Sequence, residues 1–262
     1  MHPLPRPVVA VVVAALALGT PIASFAQRTA VEAEHGIVSS VHGLASEAGV
    51  EVMRQGGNAV DAAVATGFAL AVVFPYAGNL GGGGFMMIHL ADGRDVAIDY
   101  REVAPAAASR DMYLDAQGKL IRGPGGSLQG WRASGVPGTV AGLAHAFQKY
   151  GSGKVTWAQV IEPARRLAAD GHIVTQGTAT AFREYGSRFE PFAESKRIFL
   201  KDGAYWKTGD HWRQPELAAT LARIQRDGPR EFYEGETARL IADGMAKNGG
   251  TIALADLQKY QA

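Results

Sequence analysis

The stretch from Ala59 to Val73 limits the possible folds more than any other part of this chain. It is mostly alanine and valine and carries no charge after Asp61. A surface helix keeps one polar face, whereas a helix that is apolar all round must be covered on every side. The segment therefore predicts a central helix inside a layered protein. Its start is marked by Asn58, a preferred N-cap residue, with Asp61 placing negative charge in the first turn. Gly56-Gly57 separates it from an earlier helix over Leu44–Gln55, whose small and apolar positions Ala45, Ala48 and Val52 form one face. The core side chains of both helices are packing residues and receive no ligand role.

Phe74-Pro75 closes the central helix, since proline disfavours helical backbone in the residue before it. Next comes Gly78-Asn79-Leu80 and four consecutive glycines, Gly81 to Gly84. Glycines in this arrangement permit positive φ and let main chain approach a neighbour closely. Phe85–Leu90 is almost wholly apolar and predicts a strand with both faces covered. Asp92-Gly93 supplies turn chemistry, and Asp95–Tyr100 alternates as a returning strand. Arg101 follows at the strand end. A planar guanidinium there, beside a glycine loop, suits two-pronged recognition of a carboxylate. Local pairing with Asp99 or Glu102 is the plainer alternative, and spacing alone does not separate the two.

With 26 basic and 25 acidic residues among 262, the chain has the size of one domain or most of one. No run or face concentrates Lys and Arg, which argues against a nucleic-acid surface. The absence of cysteine excludes disulfides, thiolate metal sites and a Cys nucleophile. At the N-terminus, Arg6 precedes an apolar run from Val8 to Leu18, shorter than the ~20 residues of a stable membrane span. Gly19 and Pro21 break the run, and Ser24 and Ala26 before Gln27 match a signal-peptidase site. Residues 1–26 are therefore expected to be an export signal, with a bacterial periplasmic or secreted destination, and residues 27–262 to be the folded part. No stable membrane span is expected.

Further along, 104–129 is loop-like, with Pro105, Gly118, Gly123, Pro124, Gly125 and Gly126, and a connection of that length is commonly functional. A helix is predicted over Val140–Lys149, with Gly142 allowing close packing on the sheet. Another begins at Thr156, which has capping-box spacing to Gln159, and ends at Gly171. Thr175–Tyr185, Pro215–Asp227 and Glu236–Lys247 read as amphipathic helices with solvated charged faces. One hairpin is too little sheet for so apolar a helix. Further strands are expected from sequence beyond Ala262, and the last residues, Leu254 to Ala262, give no sign of a finished C-terminus.

Several familiar chemistries fail on order or spacing. Gly81–Gly84 leads into a strand and lacks a following Lys-Ser/Thr, so it is neither a phosphate loop nor a dinucleotide fingerprint. His35, His42 and His89 have no i, i+4 spacing and no acidic pair, so they predict no metal site. Ser134, in Ala133-Ser134-Gly135, lacks the flanks of a nucleophile elbow.

Taken together, Gly56-Gly57-Asn58-Ala59-Val60-Asp61, Gly78–Phe85, Asp99-Tyr100-Arg101-Glu102, Ser134-Gly135-Val136-Pro137-Gly138-Thr139 and Phe232-Tyr233-Glu234-Gly235 resemble, in this order, the N-terminal part of the gamma-glutamyltranspeptidases. The resemblance runs from Glu34 to the end. It implies an α+β fold, the αββα sandwich of N-terminal-nucleophile hydrolases, here incomplete, and a precursor that cleaves itself into a large and a small subunit. It further implies transfer of a gamma-glutamyl group from glutathione or a related small peptide to an amino acid, peptide or water, through an acyl-enzyme on a threonine, with no metal or organic cofactor. By the same resemblance, Arg101 holds the substrate's α-carboxylate. The family's nucleophile lies in a Thr-Thr-His type segment, and this sequence has no Thr-Thr pair. No catalytic residue is therefore assigned within it. The reacting half of the site is expected beyond Ala262, in the small subunit, and residues 27–262 alone are expected to be inactive and to expose apolar surface. Two alternatives remain: a relative acting on cephalosporin or other acyl amides, and a non-catalytic exported binding or subunit-like protein.

Overall fold

The structure, a computed structural model, describes residues 30–262, and the unit Ile37–Ala262 carries everything below. The expected export signal lies outside the described residues. Helix α1 (Gly43–Arg54) buries Ala45, Ala48, Gly49 and Val52 against α2 (Ala59–Val73). The start of α2 is fixed as its sequence predicts. The Asn58 side chain accepts from the amides of Val60 and Asp61, and Asp61 accepts in return from the Asn58 amide at 2.9 Å. Asp61 also takes the Ser152 amide at 2.9 Å, and Asn58 donates to the Tyr150 carbonyl, so this cap ties the helix to a distant loop.

Hairpin strands β1 (Phe85–His89) and β2 (Asp95–Asp99) pair antiparallel, with Met86 opposite Ile98 and Ile88 opposite Val96 on one face. That face is turned to the core, where Ile88 and Ile98 are buried. Strand alternation puts Phe85, Met87 and Ala97 on the other face. Phe85 is 63% exposed and Met87 73% exposed, so the described residues cover the hairpin on one side only. The expectation of two covered faces fails because an unbroken apolar run does not say which element covers each side.

Helix α2 is covered within the chain. It packs on α1, on α3 (Thr139–Tyr150) and on α4 (Trp157–Asp170), which in turn packs on α7 (Pro215–Asp227). Phe68, at the middle of α2, meets the Trp157 ring edge-on at 5.5 Å. Of the central helix only Ala59 and Ala63 are exposed, whereas the outer face of the hairpin leaves the large side chains Phe85 and Met87 open. Helix α4 has the predicted capping box between Thr156 and Gln159 and ends at Gly171, whose φ of +86° favours glycine.

A two-residue pair, β3 (His172–Ile173) with β4 (His211–Trp212), belongs to a satellite cluster around Trp212 that includes α5 (Gln176–Tyr185). Residues 104–129 form no helix or strand, as expected. Short helices α6 (Ala193–Phe199), α8 (Arg230–Glu234) and α10 (Leu254–Lys259) were not legible, whereas α9 (Glu236–Lys247) was. At five to seven residues, the three give too few turns for a hydrophobic period to show. Among the described residues no helix is long and apolar enough to cross a membrane.

Candidate substrate-binding site

Three separated stretches meet at the end of β2: the glycine loop, Tyr100–Glu102, and Pro137–Gly142. The loop is shaped by Asn79, whose side-chain oxygen accepts from the Gly82 amide at 2.9 Å and from the Thr139 hydroxyl at 2.6 Å. The Gly82 carbonyl accepts from the amides of Gly138 (2.7 Å) and Thr139 (3.0 Å), so it faces the start of α3. Gly84 and Tyr100 exchange both main-chain bonds, extending the hairpin ladder by one pair.

None of the glycines from Gly78 to Gly84 has positive φ. Their role is close approach. A Cβ on Gly83 would fall 2.6 Å from the Tyr100 carbonyl oxygen and 2.9 Å from the Arg101 Cα, and one on Gly84 would strike the Tyr100 ring. Gly142 lies directly under the same ring, which is the close packing of helix on sheet read from the sequence. Gly81 has open space at its Cβ position. The glycine loop is thus pressed onto the backbone that carries Arg101, and a single methyl group would separate them.

Arg101 is exposed. Its amide donates to Asp99 Oδ1 at 2.9 Å, and its carbonyl accepts from the Tyr260 hydroxyl at 2.9 Å. The guanidinium makes no hydrogen bond or ion pair among the described residues, so the local pairing with Asp99 or Glu102 considered from the sequence does not occur. Two concavities among the described residues lie elsewhere. One of about 220 Å³, between α1 and α4, is lined by Glu47, Glu51, Arg166 and Asp170, and another is lined by Tyr76 and Tyr185. Arg101 lines neither of them. It stands on a rim beside the uncovered outer face of the hairpin.

The histidines do not assemble. His89 is exposed and pairs with Asp95 at 2.8 Å, while His42 is buried edge-on to His172 with ring centroids 6.3 Å apart. Among the described residues no group of three or more His, Asp or Glu could hold a metal ion. Ser134 is exposed at the end of a 3-10 turn, Trp131–Ala133.

Sequence reasoning gave no role to Tyr260, nor to Tyr233 beyond its place in a motif that carries the resemblance. Their rings stack at 5.7 Å and 12°, beneath the loops that converge on Arg101. Burial raises both phenol pKa values, that of Tyr260 to about 12 with the Asp99 and Glu102 charges adding to the effect, so both remain neutral donors. Neither could have been found from spacing, because they are 27 residues apart and lie on different helices or just beyond them.

The glycine loop, the end of β2 and the start of α3 thus meet beside one exposed arginine whose guanidinium is unpaired among the described residues. The family model for gamma-glutamyltranspeptidase matches residues 45–262. The glutathione hydrolase proenzyme of Escherichia coli K12 is 50% identical over 233 residues, 88% of this chain and 40% of that protein. The crystal structure of Helicobacter pylori gamma-glutamyltranspeptidase superposes with a TM-score of 0.85 at 46% identity, over 89% of this chain and 66% of that one. A cephalosporin acylase from Bacillus halodurans superposes at 0.73 with 26% identity, over 90% of this chain and 45% of that one. The chain belongs to the gamma-glutamyltranspeptidase family. It spans about two fifths of the length of the curated relatives it matches.

Proposed function

We propose that these residues are the N-terminal, large-subunit part of a gamma-glutamyltransferase and glutathione hydrolase. In this reading it is an N-terminal-nucleophile hydrolase whose αββα sandwich is completed by sequence outside these 262 residues. Residues 1–26 are an export signal, and the protein acts in the periplasm or outside the cell. The substrate is a small gamma-glutamyl amide such as glutathione. Arg101 binds its α-carboxylate through two parallel N–H···O bonds, a geometry that lysine cannot reproduce. A threonine hydroxyl from the small subunit attacks the γ-carbonyl, with its own α-amino group assisting proton transfer. The acyl group then passes to an amino acid, a peptide or water. This route needs no metal or organic cofactor.

The observation that carries the reading is the position of Arg101. Its guanidinium is exposed and unpaired among the described residues, at the rim of a hairpin whose outer face holds Phe85 and Met87 in solvent. Apolar sheet surface of this kind marks a missing neighbour. A second sheet packs roughly 10 Å from the first, close enough to bring a nucleophile to the same rim. The likeness to the acylase is much weaker, 26% identity against 46%, which ranks acyl-amide substrates second.

The test is hydrolysis of gamma-glutamyl-p-nitroanilide by the complete precursor and by residues 27–262 alone. The precursor is expected to turn over, with KM raised about 10- to 100-fold by Arg101→Ala, the effect of losing a charged hydrogen-bonding partner. The isolated residues are expected to be inactive. Turnover by residues 27–262, or a wild-type KM in the Arg101→Ala enzyme, refutes the reading.

A further inference from the structure

The hairpin ladder ends with the Gly84–Tyr100 pair, and the Arg101 amide is spent on the Asp99 side chain two residues away. Among the described residues, the only bond from the Arg101 main chain to a distant part of the protein comes from Tyr260. Helix α10 brings that tyrosine in, and the same short segment grips the chain a second time. Asp256 accepts from the Ala253 amide at 2.8 Å, capping α10, and its other oxygen accepts from the Ala106 amide at 2.9 Å. Between the two grips, Val103 exchanges main-chain bonds of 3.2 and 2.8 Å with Val136.

Tyr260 is fixed in turn. Its ring lies flat on Tyr233, whose hydroxyl donates to the Pro137 carbonyl at 3.0 Å and accepts from the Ala141 amide at 3.1 Å. A Cβ on Gly138 would collide with both the Tyr260 hydroxyl and the Tyr100 carbonyl, so the phenol is set between the strand end and the start of α3. Between the Gly84–Tyr100 and Val103–Val136 pairs, this hydroxyl is the bond that ties the Arg101 carbonyl itself to the start of α3. Arginine has a long, flexible side chain, and a two-pronged grip on a carboxylate depends on where its Cα is held. Displacement of a binding group by about 1 Å is enough to spoil such a grip.

We propose that Tyr260 is a positioning residue for Arg101: its hydroxyl, bonded to the Arg101 carbonyl, presents the guanidinium to the α-carboxylate of a gamma-glutamyl donor, and Asp256 fixes the far end of the same segment. This rests on the reading of Arg101 given above. Tyr260 touches no substrate and takes no part in bond breaking, so its effect falls on donor binding and disappears when Arg101 is removed.

The experiment is a double-mutant cycle in the complete precursor, with KM and kcat measured on gamma-glutamyl-p-nitroanilide. Tyr260→Phe keeps the stacked ring and deletes only the hydroxyl. It is expected to raise KM about three- to tenfold, the worth of one net hydrogen bond or slightly more, with kcat changed less than about twofold. On the Arg101→Ala background the same substitution is expected to leave KM unchanged. A general loosening of the fold would lower kcat and add its effect in both backgrounds. An unchanged KM in Tyr260→Phe while Arg101→Ala raises it overturns the positioning role and leaves the Arg101 reading standing. A KM rise of equal size in both backgrounds does the same. A wild-type KM in Arg101→Ala overturns both. If Tyr260→Phe does not accumulate as processed enzyme, Asp256→Ala decides: a KM rise seen only when Arg101 is present supports the role, and any other result overturns it.

Discussion

Acid should weaken this fold through one identifiable pair of side chains. His42 and His172 are 7% and 5% exposed, and none of their four ring nitrogens has a hydrogen-bond partner. His172 lies between the edge of His42 and the ring of Trp212, which is 5.6 Å away. Burial lowers the pKa of His172 to about 4. The neighbouring His42 pushes in the same direction, the Leu167 carbonyl opposes it, and His211 adds a smaller lowering effect. The His42 value is also lowered, again by burial first, against the raising effect of Glu47. Both imidazoles are therefore neutral when folded and take up protons more readily when unfolded. A folded value below the unfolded one means that full stability is present above pH 6.5 and is lost as pH falls toward 4.

For His172 alone, a drop from pH 6.5 to 4.5 costs about 2 kcal/mol by linkage, and His42 adds to it. The assay is urea unfolding followed by Trp fluorescence at several pH values, comparing wild type with His172→Leu. Carboxylates titrate in both proteins, so their contribution largely cancels in the difference. The wild type should lose about 2 kcal/mol more than the variant over this interval, measured as a steeper fall of the urea midpoint. Parallel curves would refute the reasoning, since they would mean that His172 already finds a proton partner in the folded state.

Four other outcomes follow from particular contacts. Gly83→Ala should destabilise the hairpin by about 1–3 kcal/mol, because its methyl meets main chain at Tyr100 and Arg101 that cannot withdraw, whereas Gly81→Ala, facing open space without positive φ, should shift the thermal midpoint little. Gly142→Ala should cost a similar amount by forcing α3 off the Tyr100 ring, and equal midpoints for it and wild type would count against the packing described. Thr156→Ala removes the hydroxyl that accepts from the Gln159 amide and should cost about 1 kcal/mol in denaturant unfolding. In residues 27–262 expressed alone, Phe85→Ser with Met87→Ser should reduce self-association on gel filtration, because both side chains lie on the uncovered hairpin face.

What could be read from the sequence and what could not divide along a physical line. Local rules located α2 and its Asn58–Asp61 cap, the Thr156–Gln159 box, and the hairpin with Arg101 at its end, since each is set by residues a few positions apart. The glycine loop was correctly read as a place of close approach, yet its freedom to take positive φ goes unused, and the pressing partner, Tyr100, is 16 residues from Gly84. Tyr260 lies further still, 159 residues from Arg101, in a stretch that looked featureless because its importance comes from where α10 sets it down. The same limit explains the hairpin. An apolar run announces burial without naming the cover, and within the described residues the cover exists on one face alone, where α3 meets β2. In the proposed reading, a hairpin covered by helices on one face, with an unpaired arginine at its rim and Phe85 and Met87 in water, is half of an interior. The exposed half is what a second sheet would need to find there, and the tyrosine-held segment at its edge is where a carboxylate would be met.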